Sequence, residues 1–159
     1  MTDAAFVTDP LPVERSYLDH NGHVNMAYHL VLVDQALDLA FAAFGVDGAY
    51  VEDLGLSTFA GEMHVRYLNE INFGDVIRGR VVFLEADAKR VRWAVELARE
   101  ADGAVTTTVE GVTLSVSLAT RRVTPFPDTV QLAIAALIES HETAAAKLDW
   151  LGRRVGMRR

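Results

Sequence analysis

Two hydrophobic periods divide the chain. From about Asn25 to Phe44 the pattern is helical. Leu30, Val31, Leu32, Val33, Leu37, Leu39, Phe41 and Phe44 cover most of the helix circumference, and Asp34, Gln35 and Asp38 fall in one narrow stripe. A helix that is apolar nearly all round is expected to be buried. Asn25 suits the N-cap, because its side chain can accept a free first-turn amide, and Gly45 suits the stop. Ahead of the helix, Val13 to Leu18 reads as a short strand that follows Pro10 and Pro12, which confine it to an edge. Val46 to Leu56 reads as a connection with a short helical piece. Beyond it the period is two. Met63, Val65 and Tyr67 alternate with Glu62, His64 and Arg66; Val76 to Glu85 follows the Gly74-Asp75 turn; and Val91, Trp93, Val95 and Leu97 alternate with Arg90, Arg92, Ala94, Glu96 and Ala98. Asp102-Gly103 marks a hairpin. Val105 to Thr120 reads as a long strand whose apolar phase slips by one at Gly111, which predicts a bulge there. Pro125 and Pro127 end it. Asp128 or Thr129 can cap a last helix from about Val130 to Leu148.

Strands that follow a helix in sequence indicate an antiparallel sheet and the α+β class. The expectation is one domain over residues 1–159, in which the sheet wraps the long helix and the C-terminal helix is an addition. From about residue 150 the chain is a basic tail. One sheet cannot cover such a helix on all sides, so a second subunit is expected to supply the rest.

The 159 residues suffice for a real core, and the formal net charge of −7 argues against general nucleic-acid binding. There is no cysteine. Disulfides and thiolate chemistry are thereby excluded, and a reducing cytoplasm is the expected location. Neither a signal peptide nor a membrane span is expected.

The polar chemistry is concentrated just before the helix, in Asp19-His20-Asn21-Gly22-His23-Val24-Asn25-Met26-Ala27-Tyr28. His20, His23 and His29 do not have the spacing of a metal site, and no metal is expected. A carboxylate just before a helix N-terminus can serve a carbonyl whose oxygen points at free backbone amides. The alternative for Asp19 is a turn former.

This run, followed by the long helix and then by Val65-Arg66-Tyr67-Leu68 and Phe73-Gly74-Asp75, resembles the hotdog-fold acyl-CoA thioesterases of the 4-hydroxybenzoyl-CoA thioesterase type. The shared pattern is an aspartate, two variable residues and Gly-His-Val-Asn, over a likeness that runs from about Val13 to Thr120. A narrower likeness, to the betainyl-CoA thioesterases of carnitine breakdown, lies in Asp-x-Asn-Gly-His-x-Asn-x-Ala-Tyr, the segment from Gly55 to Val65, the Asp87-x-Lys89-Arg90 turn and Pro125-Phe126-Pro127.

The resemblance implies hydrolysis of an acyl-CoA, betainyl-CoA or another short acyl ester, by a homodimer or homotetramer with sites at subunit interfaces. CoA belongs to the substrate, and no cofactor is implied. Asp19 becomes the catalytic carboxylate, as nucleophile or general base. Gly22 gives access to the thioester, and amides around Asn25, Met26 and Ala27 hold the oxyanion, with Asn25 also a cap. His23 either meets substrate or anchors the loop. Glu62 is a second carboxylate, a binder of a cationic acyl group, or a solvated strand residue. Tyr28, Tyr67 and Trp93 are acyl-pocket walls or core, and aromatic faces would suit a quaternary ammonium. Lys89 and Arg90, with Arg92, Arg121 and Arg122, are candidates for the CoA phosphates. Two other activities fit the same fold: hydration or dehydration of acyl thioesters, for which His23 and Glu62 must meet, and acyl-CoA binding without turnover.

Overall fold

The computed structural model describes residues 4–157. In chain order the elements are β1 (Phe6–Val7), α1 (Met26–Ala42), α2 (Gly48–Leu54), β2 (Leu56–Tyr67), β3 (Ile77–Ala86), β4 (Arg90–Arg99), β5 (Val105–Ser117), β6 (Arg122–Val123) and α3 (Asp128–Ala145). The strands form one antiparallel sheet in the order β1-β3-β4-β5-β2, with β6 paired to β5. The expected architecture is present, an antiparallel sheet around a long helix with a further helix at the C-terminal end.

α1 lies on the inner face of the sheet. Asn25 caps it as expected: its side chain accepts from the Ala27 amide at 3.0 Å. Leu32, Val33, Ala36, Ala40 and Phe41 are buried against Val81, Phe83, Trp93, Val95 and Val109. The helix comes closest at Gly79, where a Cβ would stand 2.5 Å from the Ala36 Cβ. Burial of α1 is one-sided, however. Asp34, Asp38 and Leu39 are exposed, and Met26 is 68% exposed. One sheet leaves part of the helix uncovered, as expected: β2 ends the sheet beside α1, and among the described residues no further strand lies beyond it.

The strand expected over Val13–Leu18 is absent. The first strand lies ahead of the prolines, where Phe6 and Val7 pair with Val81 and Arg80. Pro10 and Pro12 have no N–H, so main-chain pairing with β3 continues through the Thr8 and Leu11 amides, while the Gly79 amide turns to the Thr8 hydroxyl. Arg15–Tyr17 form a 3-10 turn instead.

The bulge expected at Gly111 is also displaced. β5 runs through Gly111 in continuous register with both neighbours, and the extra residue is Gly61 on β2, between Ala60 and Glu62. Gly111 has a different job: the Trp93 ring lies over it, and a Cβ there would stand 2.5 Å from that ring. The apparent phase slip records small residues facing inward (Gly111, Thr113, Ser115) and larger ones facing outward (Val112, Leu114, Val116).

α3 begins at Asp128 with no side-chain cap bond, so neither Asp128 nor Thr129 caps it. It covers the part of β3 that β1 leaves open. His141 Nδ1 accepts the Phe83 amide at 3.0 Å, and its ring stacks on the Phe83 ring. The chain then crosses to the outer face, where Trp150 donates to Glu96 Oε1 at 3.0 Å and the Gly152 amide to Glu110 Oε2 at 2.6 Å. Of the basic tail, the described residues 153–157 are exposed.

Candidate functional site

The loop between the 3-10 turn and α1 is pinned at each step. The Asp19 amide donates to the His23 carbonyl (2.9 Å), the Gly22 amide to the Asp19 carbonyl (3.1 Å), the Val24 amide to the Ile71 carbonyl (2.8 Å) and the Asn25 amide to the Tyr17 carbonyl (2.9 Å). Gly22 has φ of +86°, a left-handed conformation that glycine adopts without strain, and a Cβ there would meet nothing within 4 Å. This closed loop holds Asp19 at the entrance to α1. Asp19 Oδ1 accepts the Asn21 amide at 2.8 Å. The turn-forming and the chemical readings of Asp19 are thus compatible, since its second oxygen has no partner among the described residues.

Beside the loop is a cleft of about 430 Å³ lined by His23, Val24, Met26, His29, Tyr67, Leu68, Asn69 and Glu70. The Ala27 amide is taken by Asn25, and the Tyr28 amide donates to the Asn25 carbonyl. The Met26 amide has no acceptor among the described residues, and Met26 lines this cleft. An unpaired first-turn N–H at the positive end of a 17-residue helix is a ready donor for a developing oxyanion. Tyr67 crosses from β2 to donate to the Met26 carbonyl at 3.2 Å; burial raises its pKa, which keeps the phenol protonated. His23 is partly exposed, with Nδ1 3.2 Å from the Val24 carbonyl and Nε2 3.9 Å from Glu70.

A second cavity, of about 120 Å³, follows the same α1 stripe toward its C-terminus and is lined by Leu30, Asp34, Asp38, Phe41, Met63 and Trp93, among others. Trp93 is fully buried, and its Nε1 donates to Thr113 at 2.8 Å. Partial desolvation where Asp38 borders this cavity, and secondarily the neighbouring Asp34 charge, raises its pKa, although the residue as a whole is exposed. Tyr28 stacks on Tyr17 with ring centroids 4.6 Å apart.

Three of the sequence-derived candidates lie elsewhere in the chain. Glu62 pairs with Val112, on the outer face of the sheet with His64 and Arg66, and is not brought to His23. Lys89 and Arg90 occupy the β3–β4 turn, where Asp87 engages Arg90 through two nitrogens. That turn is a strand length from the Met26 end of the sheet, roughly 30 Å at about 3.4 Å per residue. Among the other cations, Arg92 is paired with Glu110 and Glu85, and Arg121 and Arg122 are exposed.

Sequence reasoning passed over His29 and Thr107, except for His29 as a discarded metal ligand. His29 is 4% exposed, and its Nδ1 is 2.6 Å from Thr107 Oγ1. The available signal was a histidine on the apolar side of the helix, facing a strand with threonine at inward positions. Among the described residues, no group of three or more His, Cys, Asp or Glu is arranged to hold a metal ion, and no helix is long and apolar enough to cross a membrane.

A family model described as the thioesterase-like superfamily matches residues 13–134. A Rhizobium meliloti protein named L-carnitine dehydrogenase/betainyl-CoA thioesterase is 31% identical over 92% of this chain, which spans only 29% of that relative. The betainyl-CoA thioesterase of Pseudomonas aeruginosa is 30% identical over 92% of this chain and 91% of its own length. Among solved structures, a Staphylococcus aureus protein in complex with CoA superposes with a TM-score of 0.85 at 24% identity, over 97% of this chain and 96% of the other.

Proposed function

The chain belongs to the thioesterase-like superfamily, and from that premise we propose that it hydrolyses acyl-CoA thioesters to CoA and a carboxylic acid. The observation that supports this reading is the hydrogen-bonded loop that carries Asp19 and leads directly into α1, whose first amide, that of Met26, is unpaired among the described residues. The thioester oxygen takes that N–H, and the Ala27 end of the turn adds the helix dipole. Gly22 leaves the approach open. Asp19 then either attacks the carbonyl to form a mixed anhydride, which water hydrolyses, or draws the proton from an attacking water. In both routes the C–S bond breaks and CoA leaves as its thiolate, which takes up a proton. His23 and Asn25 hold the loop, and Tyr67 and Tyr28 flank the acyl group.

Betainyl-CoA, or another short acyl ester, is the preferred substrate. The names of two relatives support it, as do the aromatic rings and the uncompensated Asp34 and Asp38 carboxylates along the α1 stripe, which suit a cationic acyl group. The working enzyme is a homodimer or homotetramer in the cytoplasm. The free edge of the 12-residue β2 and the open α1 stripe beside it are what a second copy would cover. Lys89 and Arg90 can reach CoA phosphates only from such a second subunit, because their own turn is too far from Met26.

The test is thiol release from betainyl-, acetyl-, butyryl- and benzoyl-CoA by the purified protein. Asp19→Asn is expected to lower kcat by at least about 100-fold with an unchanged circular dichroism spectrum. Full activity in that variant sinks the mechanism, and tight CoA-ester binding with no thiol release by the parent favours a binding module.

A further inference from the structure

We propose that His29, held by Thr107, is a positioning residue that sets the Met26 amide against Asp19 and does so as a neutral imidazole. The inference rests on the thioesterase reading for its kinetic consequence but not for its geometry.

His29 sits in the first turns of α1 and points into the interior, where both ring nitrogens need partners. Nδ1 is 2.6 Å from the Thr107 hydroxyl, and the Val24 backbone lies beside the ring. A neutral ring whose Nδ1 accepts from the hydroxyl fits this arrangement. His29 also meets Tyr67 edge-on, with ring centroids 5.2 Å apart at 81°. Through these contacts one side chain joins three pieces of the site. Val24 belongs to the loop that fixes Asp19, since its neighbour His23 accepts the Asp19 amide. Tyr67 bonds the carbonyl of Met26. Thr107 fixes the assembly to β5. The titratable groups around the ring are His23 on the loop and Tyr67 on β2, with Glu70 on the far side of His23. Burial, the largest influence, depresses the His29 pKa, and the His23 charge acts in the same direction. A proton on Nδ1 would reverse this bond, the ring donating to the hydroxyl oxygen, and would leave the hydroxyl proton in need of another acceptor in a buried place. The depressed pKa keeps this from happening near neutral pH.

Thr107→Val preserves shape and removes the hydroxyl, whereas Thr107→Ser keeps it. On the acyl-CoA ester that the parent hydrolyses best, Thr107→Val is expected to lower kcat by about tenfold with KM within about twofold. The acid limb of its kcat profile should move up toward the ordinary histidine range, and Thr107→Ser should restore both. In parallel, amide and imidazole NMR of the same proteins reads the geometry without turnover. The Met26 and Val24 amide resonances should shift in Thr107→Val but not in Thr107→Ser, and the His29 titration midpoint should rise with them. Loss of thiol release by the parent, with the NMR pattern intact, overturns the thioesterase reading and leaves the positioning role standing. Equal behaviour of the Val and Ser variants, or a Met26 amide and kcat indifferent to Thr107→Val, overturns the positioning role. His29→Phe, which keeps the packing, should lower kcat as Thr107→Val does and remove the acid limb that His29 causes; wild-type kcat in it has the same overturning force.

Discussion

Gly79→Ala is the substitution that most directly tests how α1 is seated on the sheet. The added Cβ would lie 2.5 Å from the Ala36 Cβ and 3.3 Å from Thr8 Cγ2. Two carbons need about 3.5 to 4.0 Å, so a separation of about 1 Å must be made up. No rotamer can supply it, because the Ala36 Cβ is fixed to the helix backbone and Ala36 is fully buried. The helix itself must lift off β3 and lose packing along its length. Overpacking of this kind costs about 1 to 3 kcal/mol, offset by about 0.5 to 1 kcal/mol from the freedom that glycine no longer loses. Because neither carbon can move by a change of rotamer, the upper part of that range (about 2 to 3 kcal/mol) applies and the expected net loss is about 1 to 2.5 kcal/mol; for a chain of 159 residues each kcal/mol lowers Tm by about 2 to 4 °C. Ala36→Gly removes the opposing carbon, and alone it costs about 1 kcal/mol in helix propensity. In the double variant the clash is gone, so a urea-unfolding cycle should show favourable coupling of at least about 1 kcal/mol. A Gly79→Ala protein as stable as its parent, or a cycle additive within about 0.5 kcal/mol, would refute the seating.

Three further outcomes are expected. The folded Asp38 carboxyl holds its proton to higher pH than the unfolded one, so its ionisation destabilises the chain as pH rises through that window; Asp38→Asn should therefore raise Tm at pH 7, with the gain shrinking toward acid, as differential scanning calorimetry would show. His141→Phe keeps the stack on Phe83 but leaves the Phe83 amide unpaired, which should cost about 1 to 3 kcal/mol in chemical unfolding. Gly111→Ala drives a Cβ into the Trp93 ring, and the ring cannot tilt without breaking its bond to Thr113; a loss of about 1 to 3 kcal/mol and a red-shifted tryptophan emission should follow.

Local pattern carried much of the fold. The α1 period, the Asn25 cap and the alternation in β3 and β4 are decided within a few residues, and each is where the sequence puts it. Misreadings arose where a distant partner decides. Val13–Leu18 has strand-like residues, but the Phe6–Val7 segment takes the β3 edge and leaves that stretch to turn. Gly111 looks like a bulge until Trp93, on the neighbouring strand, is seen to need the space. Asp34 and Asp38 make a narrow stripe on a helical wheel, yet only the sheet order shows that the stripe faces an open edge.

The candidate site divides along the same line. Asp19, Gly22, Asn25 and the Met26 amide lie within one short loop and helix start, so their relation is set by local hydrogen bonds that a motif can record. His29 acts across the sheet, on a threonine 78 positions away, and Tyr67 reaches Met26 across 41. Neither distance leaves a spacing to read. The motif thus records the groups proposed to react, while the sheet supplies the contacts that hold them. A histidine buried on the wrong side of an apolar helix is the sequence trace of that second requirement: such a residue costs stability unless paired, so its presence implies a partner on the strand it faces. Thr107 is that partner, and its hydroxyl makes the rigidity of the first α1 turn depend on the protonation state of one ring.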